Sequence, residues 1–322
     1  MKHKRLKVVD LFAGCGGLSL GFQNAGFDVI AAFDNWQPAI DVYKLNFEHP
    51  VISQDLSDIK ASVSSIKEFS LDMIVGGPPC QDFSHAGKRN ENGGRANLTI
   101  SYANIVTSLK PQFFVMENVD RIDKTNTYKK AIDIFRKAGY GLTPYLFNAN
   151  LYDVPQTRKR FVVVGELNGL DNAFHPYFKE NESGKPMTIR DYLGLSLGIE
   201  HYYRHPRNYN RRGVFSIDEP SPTVRGVNRP IPGGYKGHPN DSSSLNNLVR
   251  PLTTIERSYI QTFPKSFIFK GSKTNLEQII GNAVPVKLAE HIGNAILKYI
   301  NDEVKLPMSS DINAEQTSLL SL

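Results

Sequence analysis

The sequence is poor in cysteine and contains no long apolar run. Its two cysteines, Cys15 and Cys80, cannot form a disulfide framework or a metal-binding cluster of the usual spacing, so we expect free thiols and no metal. No run approaches the roughly 20 apolar residues of a membrane-spanning helix, and the basic start lacks the apolar stretch of about 7–15 residues that marks a secretory signal. We therefore expect a cytoplasmic protein without a membrane partner. Each cysteine then needs an explanation in packing or in chemistry.

The basic charge is concentrated in one segment. Between positions 201 and 238, seven basic residues stand against two acidic ones, which gives +5 of the chain's net charge of +6. The basic residues are Arg204, Arg207, Arg211, Arg212, Arg225, Arg229 and Lys236, and four tyrosines are interleaved with them. A solvated surface is one interpretation of this segment. The mixture of cationic and stacking groups favours the other interpretation, a nucleic-acid-binding face.

The first 165 residues alternate short apolar runs with amphipathic stretches. This pattern predicts strands at 7–11, 29–33, 73–75, 113–116, 146–150 and 160–165, and helices at 18–25, 38–46, 59–69, 100–109 and 128–138. Alternating strands and helices are typical of an α/β fold with a mostly parallel sheet and helices on both faces. In such folds a ligand binds beyond the carboxyl ends of the strands. The loops at those ends are therefore the candidates for function.

The character of the sequence changes after Glu166. The residues that follow are rich in Gly, Pro, Asn, Ser, Tyr and Arg and are too many for one loop, which predicts a second, small irregular domain. Apolar periodicity returns near the end and predicts a helix that finishes near Ile300. We expect the main domain to comprise residues 1–166 and 265–302, the irregular domain to comprise 167–264, and 303–322 to form a flexible tail.

A glycine-rich turn, DLFAGCGG at residues 10–17, follows the first predicted strand and opens a helix. Glycines there let the backbone approach a ligand, and the helix start offers free N–H groups. One strand later, Asp34 stands where a carboxylate can accept both hydroxyls of a ribose. Asp55 follows the next short strand, where it could accept from an adenine amino group. A merely tight turn and two surface carboxylates are the alternative interpretation.

A free cysteine follows GGPP at the end of the fourth predicted strand. Cys80 is poorly placed there for core packing, and residues 81–95 are polar and glycine-rich, as in a loop that closes over a substrate. The next strand ends in Glu117, so we expect a nucleophile and a proton donor at adjacent strand ends. Arg158 and Arg160 alternate by two in QTRKR. We expect them to share one face and to hold a carboxylate or a pyrimidine carbonyl.

Taken in order, FAGCGG, Asp34, GGPPCQ, ENV, QTRKR and GNAVP (residues 281–285) resemble the motifs of the DNA cytosine-5 methyltransferases of the bacterial restriction-modification type. The resemblance covers nearly all of residues 6–300, although residues 167–249 match only in position, where the family keeps its target-recognition domain. It implies a Rossmann-like sheet that binds S-adenosylmethionine and releases S-adenosylhomocysteine. It also implies duplex DNA as the partner, and we expect a monomer associated with the nucleoid through DNA.

The resemblance assigns roles to individual residues. The catalytic residues would be Cys80, Glu117, Arg158 and Arg160. The cofactor would be held by Phe12, Gly14, Gly16, Gly17, Asp34, Asp55, Leu56, Pro79 and Asn282. The loop after the cysteine would bring Gln81, Ser84, Lys88 and Arg89 to the DNA. In the irregular domain we expect Arg204, Arg207, Arg211 and Arg212 to contact the backbone, and Thr223, Arg225 and Arg229 to read bases.

The family's reaction explains these residue types. A Cys80 thiolate that adds to carbon 6 of cytosine activates carbon 5 for methylation, while Glu117 holds ring nitrogen 3 and the exocyclic amine. The target nucleotide must be flipped out of the duplex. Three alternatives are weaker. An RNA cytosine-5 methyltransferase would carry a Cys-Phe-Thr signature, which is absent. An inactive DNA-binding relative would tolerate loss of the catalytic set, and a nicotinamide dehydrogenase would leave GGPPCQ and QTRKR unexplained.

Overall fold

The computed structural model describes residues 5–79, 98–206, 208 and 210–305. Six of the predicted site residues lie outside these ranges, namely Cys80, Gln81, Ser84, Lys88, Arg89 and Arg207. Over the described ranges, no helix is both long enough and apolar enough to cross a membrane.

A seven-stranded sheet forms the centre of the main domain. Its strands are β1 (Lys7–Leu11), β2 (Asp28–Asp34), β3 (Val51–Ser53), β4 (Met73–Gly76), β5 (Phe113–Val119), β6 (Tyr140–Asn148) and, after the separate strand β7 (Gln156–Thr157), β8 (Lys159–Leu167). The order across the sheet is β3-β2-β1-β4-β5-β8-β6. The first five strands pair in parallel, whereas β8 is antiparallel to both of its neighbours.

Helices cover both faces of this sheet, which is why its inner strands are continuous apolar runs. The helices are α1 (Gly17–Ala25), α2 (Gln37–Lys44), α3 (Ile59–Ile66), α4 (Leu98–Leu109), α5 (Asn126–Lys137), α6 (His175–Glu180), α7 (Ile189–Leu193), α8 (Thr254–Ile260), α9 (Lys273–Asn282) and α10 (Val286–Lys305). Val8 packs with α1, α6 and α10 on one face, and its neighbour Val9 packs with α3, α4 and α5 on the other. This alternation follows from the period of two along a strand.

The second half of the chain adds small sheets around a separate apolar cluster. β9 (His201–Tyr203), β10 (Val214–Ser216) and, later in the chain, β12 (Arg250–Pro251) form a three-stranded sheet, while β11 (Ser221–Pro222) pairs with β7. The cluster extends from Ile189 to Ile260 and includes Ile280 from α9. Phe174 and Phe178 instead pack in the core of the main sheet. The domain limits given above remain a prediction.

The structure differs from the sequence expectations in two places. The strand expected at 146–150 is shifted, because β6 covers Tyr140–Asn148 and residues 149–151 form a 3₁₀ turn. The sheet is mostly parallel, as predicted; β8 is antiparallel because only ten residues separate it from β6, too few for the crossover helix that a parallel return needs. Finally, α10 continues to Lys305, three residues into the expected tail.

Candidate active site

A cavity of about 430 Å³ opens beyond the carboxyl ends of the central strands. Eight of the nine predicted cofactor residues line it, namely Phe12, Gly14, Gly17, Asp34, Asp55, Leu56, Pro79 and Asn282. Glu117, Arg158 and Arg160 line the same cavity. The structure therefore brings eight of the predicted cofactor residues and three of the four predicted catalytic residues together at the place where an α/β sheet binds its ligand.

The turn between β1 and α1 has an unusual backbone. Phe12 has φ 57°, a left-handed value that is uncommon for a residue with a side chain, and such local strain is often retained at functional sites. Gly16, the remaining predicted cofactor residue, is absent from the cavity lining. It is the N-cap of α1 with φ 93°, and a Cβ there would lie 2.4 Å from the ring of Phe47. Gly16 therefore permits the backbone conformation of the turn and its close packing against Phe47.

Asp34 connects this turn to the end of β2. Its Oδ2 accepts from the Gly14 N–H and its Oδ1 from the Trp36 N–H, both at 2.8 Å. Each carboxylate oxygen can accept more than one hydrogen bond, so Asp34 keeps capacity for a ligand. Trp36, the only tryptophan of the chain, also lines the cavity. Trp36 was not predicted to be a site residue, although its position two residues after Asp34 could have indicated that it lies near the ligand.

The walls of the cavity suit a nucleoside. Phe12, Trp36 and Leu56 provide apolar and aromatic surface next to the Asp34 carboxylate. Asp55 is exposed at the mouth, and its Oδ1 accepts from the Ser57 N–H at 2.9 Å, which lowers the pKa of the carboxyl group. Apolar and aromatic walls beside a carboxylate, here called the slot, fit an adenine ring joined to a ribose.

Glu117 and Arg160, which line the same cavity, form an ion pair. Glu117 pairs with Val162 across the antiparallel β5–β8 ladder and Val119 pairs with Arg160, so the two charged side chains are diagonal neighbours on one face. Arg160 Nε lies 2.6 Å from Glu117 Oε1. A Cβ at Gly77 would lie 3.0 Å from the other oxygen, Oε2, so this glycine leaves space at the carboxylate.

The segment that leads into Cys80 is fixed to the same strand. Asn118 Nδ2 donates to the Pro78 carbonyl at 2.8 Å, and Asn118 Oδ1 accepts from the Val119 N–H at 2.9 Å. The amide of Asn118 thus holds Pro78 and Pro79 against the end of β5, beside Glu117. Cys80 itself lies outside the described residues.

Within the motif QTRKR, Gln156 and Arg158 hold other segments of the protein, whereas Arg160 pairs with Glu117. Gln156 is fully buried and accepts from the Val224 N–H at 2.8 Å. Arg158 is 1% exposed and donates to the carbonyls of Val224, Gly281 and Ala283, each at 3.1 Å. Its Nε is buried without a hydrogen-bond partner among the described residues. Arg158 and Arg160 therefore both line the cavity, but Arg158 uses its Nη atoms to join the irregular domain to the turn at 281–285.

Cys15 behaves as a core residue. It is 2% exposed and packs in an apolar cluster with α2 and α9 residues. Burial raises the pKa of the Cys15 thiol to about 12, so it does not form a thiolate near neutral pH. Of the two thiols, this observation leaves Cys80 as the candidate nucleophile.

Comparison with known proteins identifies the family of this chain. The model of the C-5 cytosine-specific DNA methylase family matches residues 6–298. The chain belongs to this family. It is 57% identical over 301 residues to the Type II methyltransferase M.HindV of Haemophilus influenzae, covering 93% of this chain and 99% of the relative. It is 50% identical over 296 residues to M.HgiDI of Herpetosiphon aurantiacus, covering 92% and 96%.

Solved structures show the same fold. The S. pombe Dnmt2 methyltransferase superimposes with a TM-score of 0.68 at 19% identity, covering 92% of this chain and all of that one. This likeness supports the predicted α/β fold with a Rossmann-like sheet. The protein is thus a DNA cytosine-5 methyltransferase of the Type II restriction-modification kind, and family membership implies S-adenosylmethionine as cofactor.

In this methyltransferase the predicted DNA-contacting residues differ in what holds them. Arg204 Nη2 donates to the Thr223 carbonyl at 2.8 Å, and Arg225 Nη2 donates to the His205 carbonyl at 2.6 Å. Arg212 Nη1 donates to Glu219 at 3.0 Å, and Thr223 Oγ1 donates to the Thr157 carbonyl at 2.7 Å. Arg211 and Arg229 are exposed, and within the described ranges their side chains have no hydrogen-bond or ion-pair partner.

Proposed function

We propose that this enzyme methylates carbon 5 of a flipped-out cytosine within a short specific sequence of duplex DNA, through a covalent bond between Cys80 and carbon 6. The observation that carries the proposal is the Glu117–Arg160 pair, which lies in the same cavity as the nucleoside-shaped slot and beside the segment that leads into Cys80. A methyl donor and a cytosine bound in one cavity would be held close to each other for the transfer.

The slot fits S-adenosylmethionine, which supplies the methyl group as a sulfonium. Phe12 would stack on the adenine, the free lone pairs of Asp34 would accept the ribose hydroxyls, and Asp55 and Leu56 would lie at the adenine edge. Asn282, exposed at the end of α9, would close the slot from the opposite side. These assignments use residues that already line one cavity.

Glu117 and Arg160 would act on the cytosine ring. The thiolate of Cys80 adds to carbon 6, and the electron pair of the 5,6 double bond moves to carbon 5, which takes the methyl group. Glu117 Oε2, on the side away from Arg160, would hold ring nitrogen 3 and the exocyclic amine as charge develops. Arg160 would keep the carboxylate oriented. A base then removes the carbon 5 proton, and the electron pair left on carbon 5 re-forms the double bond and expels the thiolate.

The rest of the chain would bind the DNA, and the enzyme would act as a monomer. The target base lies inside the duplex, so it must be flipped out to reach the cavity. Residues after Cys80 and the irregular domain would contact the duplex. Gln81, Ser84, Lys88, Arg89 and the arginines of the basic segment other than Arg212 are the contacts that we propose for these two regions.

Covalent trapping tests the proposal. Duplex DNA with 5-fluorocytosine at the target should form a complex that survives denaturation, because fluorine at carbon 5 cannot leave as a proton would. Cys80→Ser should abolish the complex, whereas the matched change Cys15→Ser should retain it. A complex that disappears with Cys15→Ser and persists with Cys80→Ser would show that the wrong thiol was chosen. RNA of the same sequence serves as the competing substrate.

A further inference from the structure

Residues 223–229, here called the recognition segment, lie against the turn at 281–285 with backbone contacting backbone. A Cβ at Gly281 would lie 2.3 Å from the Gly226 nitrogen and 2.4 Å from the Arg225 carbonyl carbon. Only glycine allows so close an approach. The backbone of the recognition segment therefore packs directly against the turn that carries the cavity residue Asn282.

Side chains of the main domain fix the start of this segment. The backbone of Val224 is held at both of its polar groups, since its N–H donates to Gln156 at 2.8 Å and its carbonyl accepts from Arg158 at 3.1 Å. Thr223 Oγ1 donates to the Thr157 carbonyl at 2.7 Å. Thr223 and Arg225, which we expected to read bases, thus use polar atoms inside the protein.

A buried ion pair fixes the middle of the segment. Arg257 is 6% exposed and Glu277 is 3% exposed, and their charged groups are in direct contact between α8 and α9. Arg257 also donates to the Arg225 carbonyl, and Asn228 Nδ2 donates to the Leu252 carbonyl at 2.8 Å. Buried, paired groups of this kind determine one conformation more strongly than exposed ones.

Two side chains of the segment are exposed to solvent. Val227 is 60% exposed, and Arg229 is exposed, with no hydrogen-bond or ion-pair partner in the described part of the chain. Both line a small surface pocket with Tyr203, His205 and Arg225. Burial and the charges of Arg229 and Arg225 lower the pKa of His205, so the charge of Arg229 has neutral or cationic neighbours.

We propose, resting on the proposed function, that Arg229 reads a guanine of the target sequence through its guanidinium group, with Val227 packed beside it on the base edges. An arginine without an acceptor among the described residues, on a segment whose backbone is fixed, is preorganised for the two acceptors of a guanine. A phosphate contact would surround it with polar groups, whereas an exposed valine fits base edges and methyl groups better than phosphates. Arg257 and Glu277 are then positioning residues for this reader.

A comparison of Arg229→Lys with Arg229→Ala separates a base reader from a phosphate contact. Lysine keeps the charge but lacks the planar fork that pairs with guanine. We expect both variants to lower kcat/KM on the cognate duplex roughly ten-fold or more, with little change in binding to unrelated DNA. Arg211→Lys, an exposed arginine outside the recognition segment, is the matched control and should leave the ratio of cognate to non-cognate methylation unchanged.

Modified duplexes identify the guanine. With the recognition sequence established from the methylated sites, each guanine is replaced in turn by 7-deazaguanine, which pairs normally but lacks the N7 acceptor. At one position the replacement should lower kcat/KM for the parent enzyme and have no further effect on Arg229→Lys. Equal methylation by Arg229→Lys and the parent on every duplex would overturn the inference. Failure of the parent to methylate any duplex would instead overturn the proposed function.

Discussion

Arg160 Nε and Glu117 Oε1 lie 2.6 Å apart across two antiparallel strands, with 12% and 10% of their side chains exposed. The strand register alone makes these residues diagonal neighbours, so the pair is built into the sheet and does not depend on a loop. A carboxylate fixed in this way can present its second oxygen to a substrate without first being ordered.

Glu117→Gln should lower kcat by roughly 100-fold or more, because a neutral amide cannot stabilise positive charge on the cytosine ring as the carboxylate does. Affinity for S-adenosylhomocysteine, measured by calorimetry, should stay within about two-fold of the parent, since Glu117 is not one of the residues that form the slot. Glu180→Gln, an exposed glutamate paired with Lys298, is the control and should keep full activity. Loss of cofactor binding in Glu117→Gln would contradict the assignment.

Arg158→Lys should destabilise the fold as well as reduce activity. Arg158 donates to three backbone carbonyls from a buried position, and a lysine cannot reach all three, so we expect a loss of roughly 3 kcal/mol or more in the free energy of unfolding. Urea denaturation measures this. Arg136→Lys, at an exposed pair with Asp171, should change stability by less than about 1 kcal/mol. An inactive Arg158→Lys with parental stability would mean that Arg158 acts on the substrate instead.

Asp34→Ala should weaken the binding of S-adenosylmethionine by roughly ten-fold or more, as expected for the loss of charge-assisted hydrogen bonds. The structure adds a second cause, because the change also removes the acceptors that hold the Gly14 and Trp36 backbone. Asp41→Ala, an exposed residue of α2 that accepts from Gln37, controls for the loss of a surface charge. Unchanged affinity in Asp34→Ala would exclude Asp34 from the cofactor site.

The positions of residues such as Asp34 and Glu117 were predictable from the sequence, whereas the contacts of Arg158 were not. Residues at strand ends, such as Asp34 and Glu117, are positioned by the sheet, so the alternation of strands and helices was enough to place them. Arg158 was assigned to the substrate because its spacing from Arg160 is that of one strand face. The structure shows its Nη atoms bound to the carbonyls of Val224, Gly281 and Ala283. Those acceptors come from distant segments, and no local pattern reveals them.

The buried Asp10 should make the free energy of unfolding depend on pH. Burial raises its pKa from an ordinary value of 3.8 to about 7, and a short chain of hydrogen bonds joins it through Ser19 to Tyr43 and His49. The folded protein thus keeps a proton that the unfolded chain releases between about pH 4 and pH 7. This contribution to stability is present below about pH 4 and is lost as the pH rises, by about 1.4 kcal/mol per pH unit within the window.

Asp10→Asn should remove that dependence, because the amide has no proton to lose in this range. Urea denaturation at pH 5 and pH 8 should show the variant gaining stability relative to the parent as the pH increases. Asp58→Asn is the comparison, since Asp58 is an exposed N-cap that still accepts from the Ala61 N–H when neutral. An equal pH dependence in the parent and Asp10→Asn would show that Asp10 is ionised in the folded protein.

The basic segment should contain arginines with two different functions. Arg212 donates to Glu219 and Ser242 and lies 4.3 Å from the centre of the Phe215 ring, so it is occupied within the protein. Arg211 is exposed, and its side chain has no such partner among the residues that the structure describes. We therefore expect Arg211→Ala to weaken binding to cognate and unrelated duplexes alike. It should also reduce the slope of log affinity against log salt concentration by about one.

Arg212→Ala should behave in the opposite way. Its loss removes an ion pair, a hydrogen bond and a ring contact, so the midpoint of thermal denaturation should be lower. The salt dependence of DNA binding by the folded protein should stay that of the parent. Filter binding at a series of salt concentrations, on protein shown to be folded, distinguishes the two variants. If Arg212→Ala changes the salt slope and Arg211→Ala does not, then the ion pair with Glu219 opens on DNA and Arg212 is the phosphate contact.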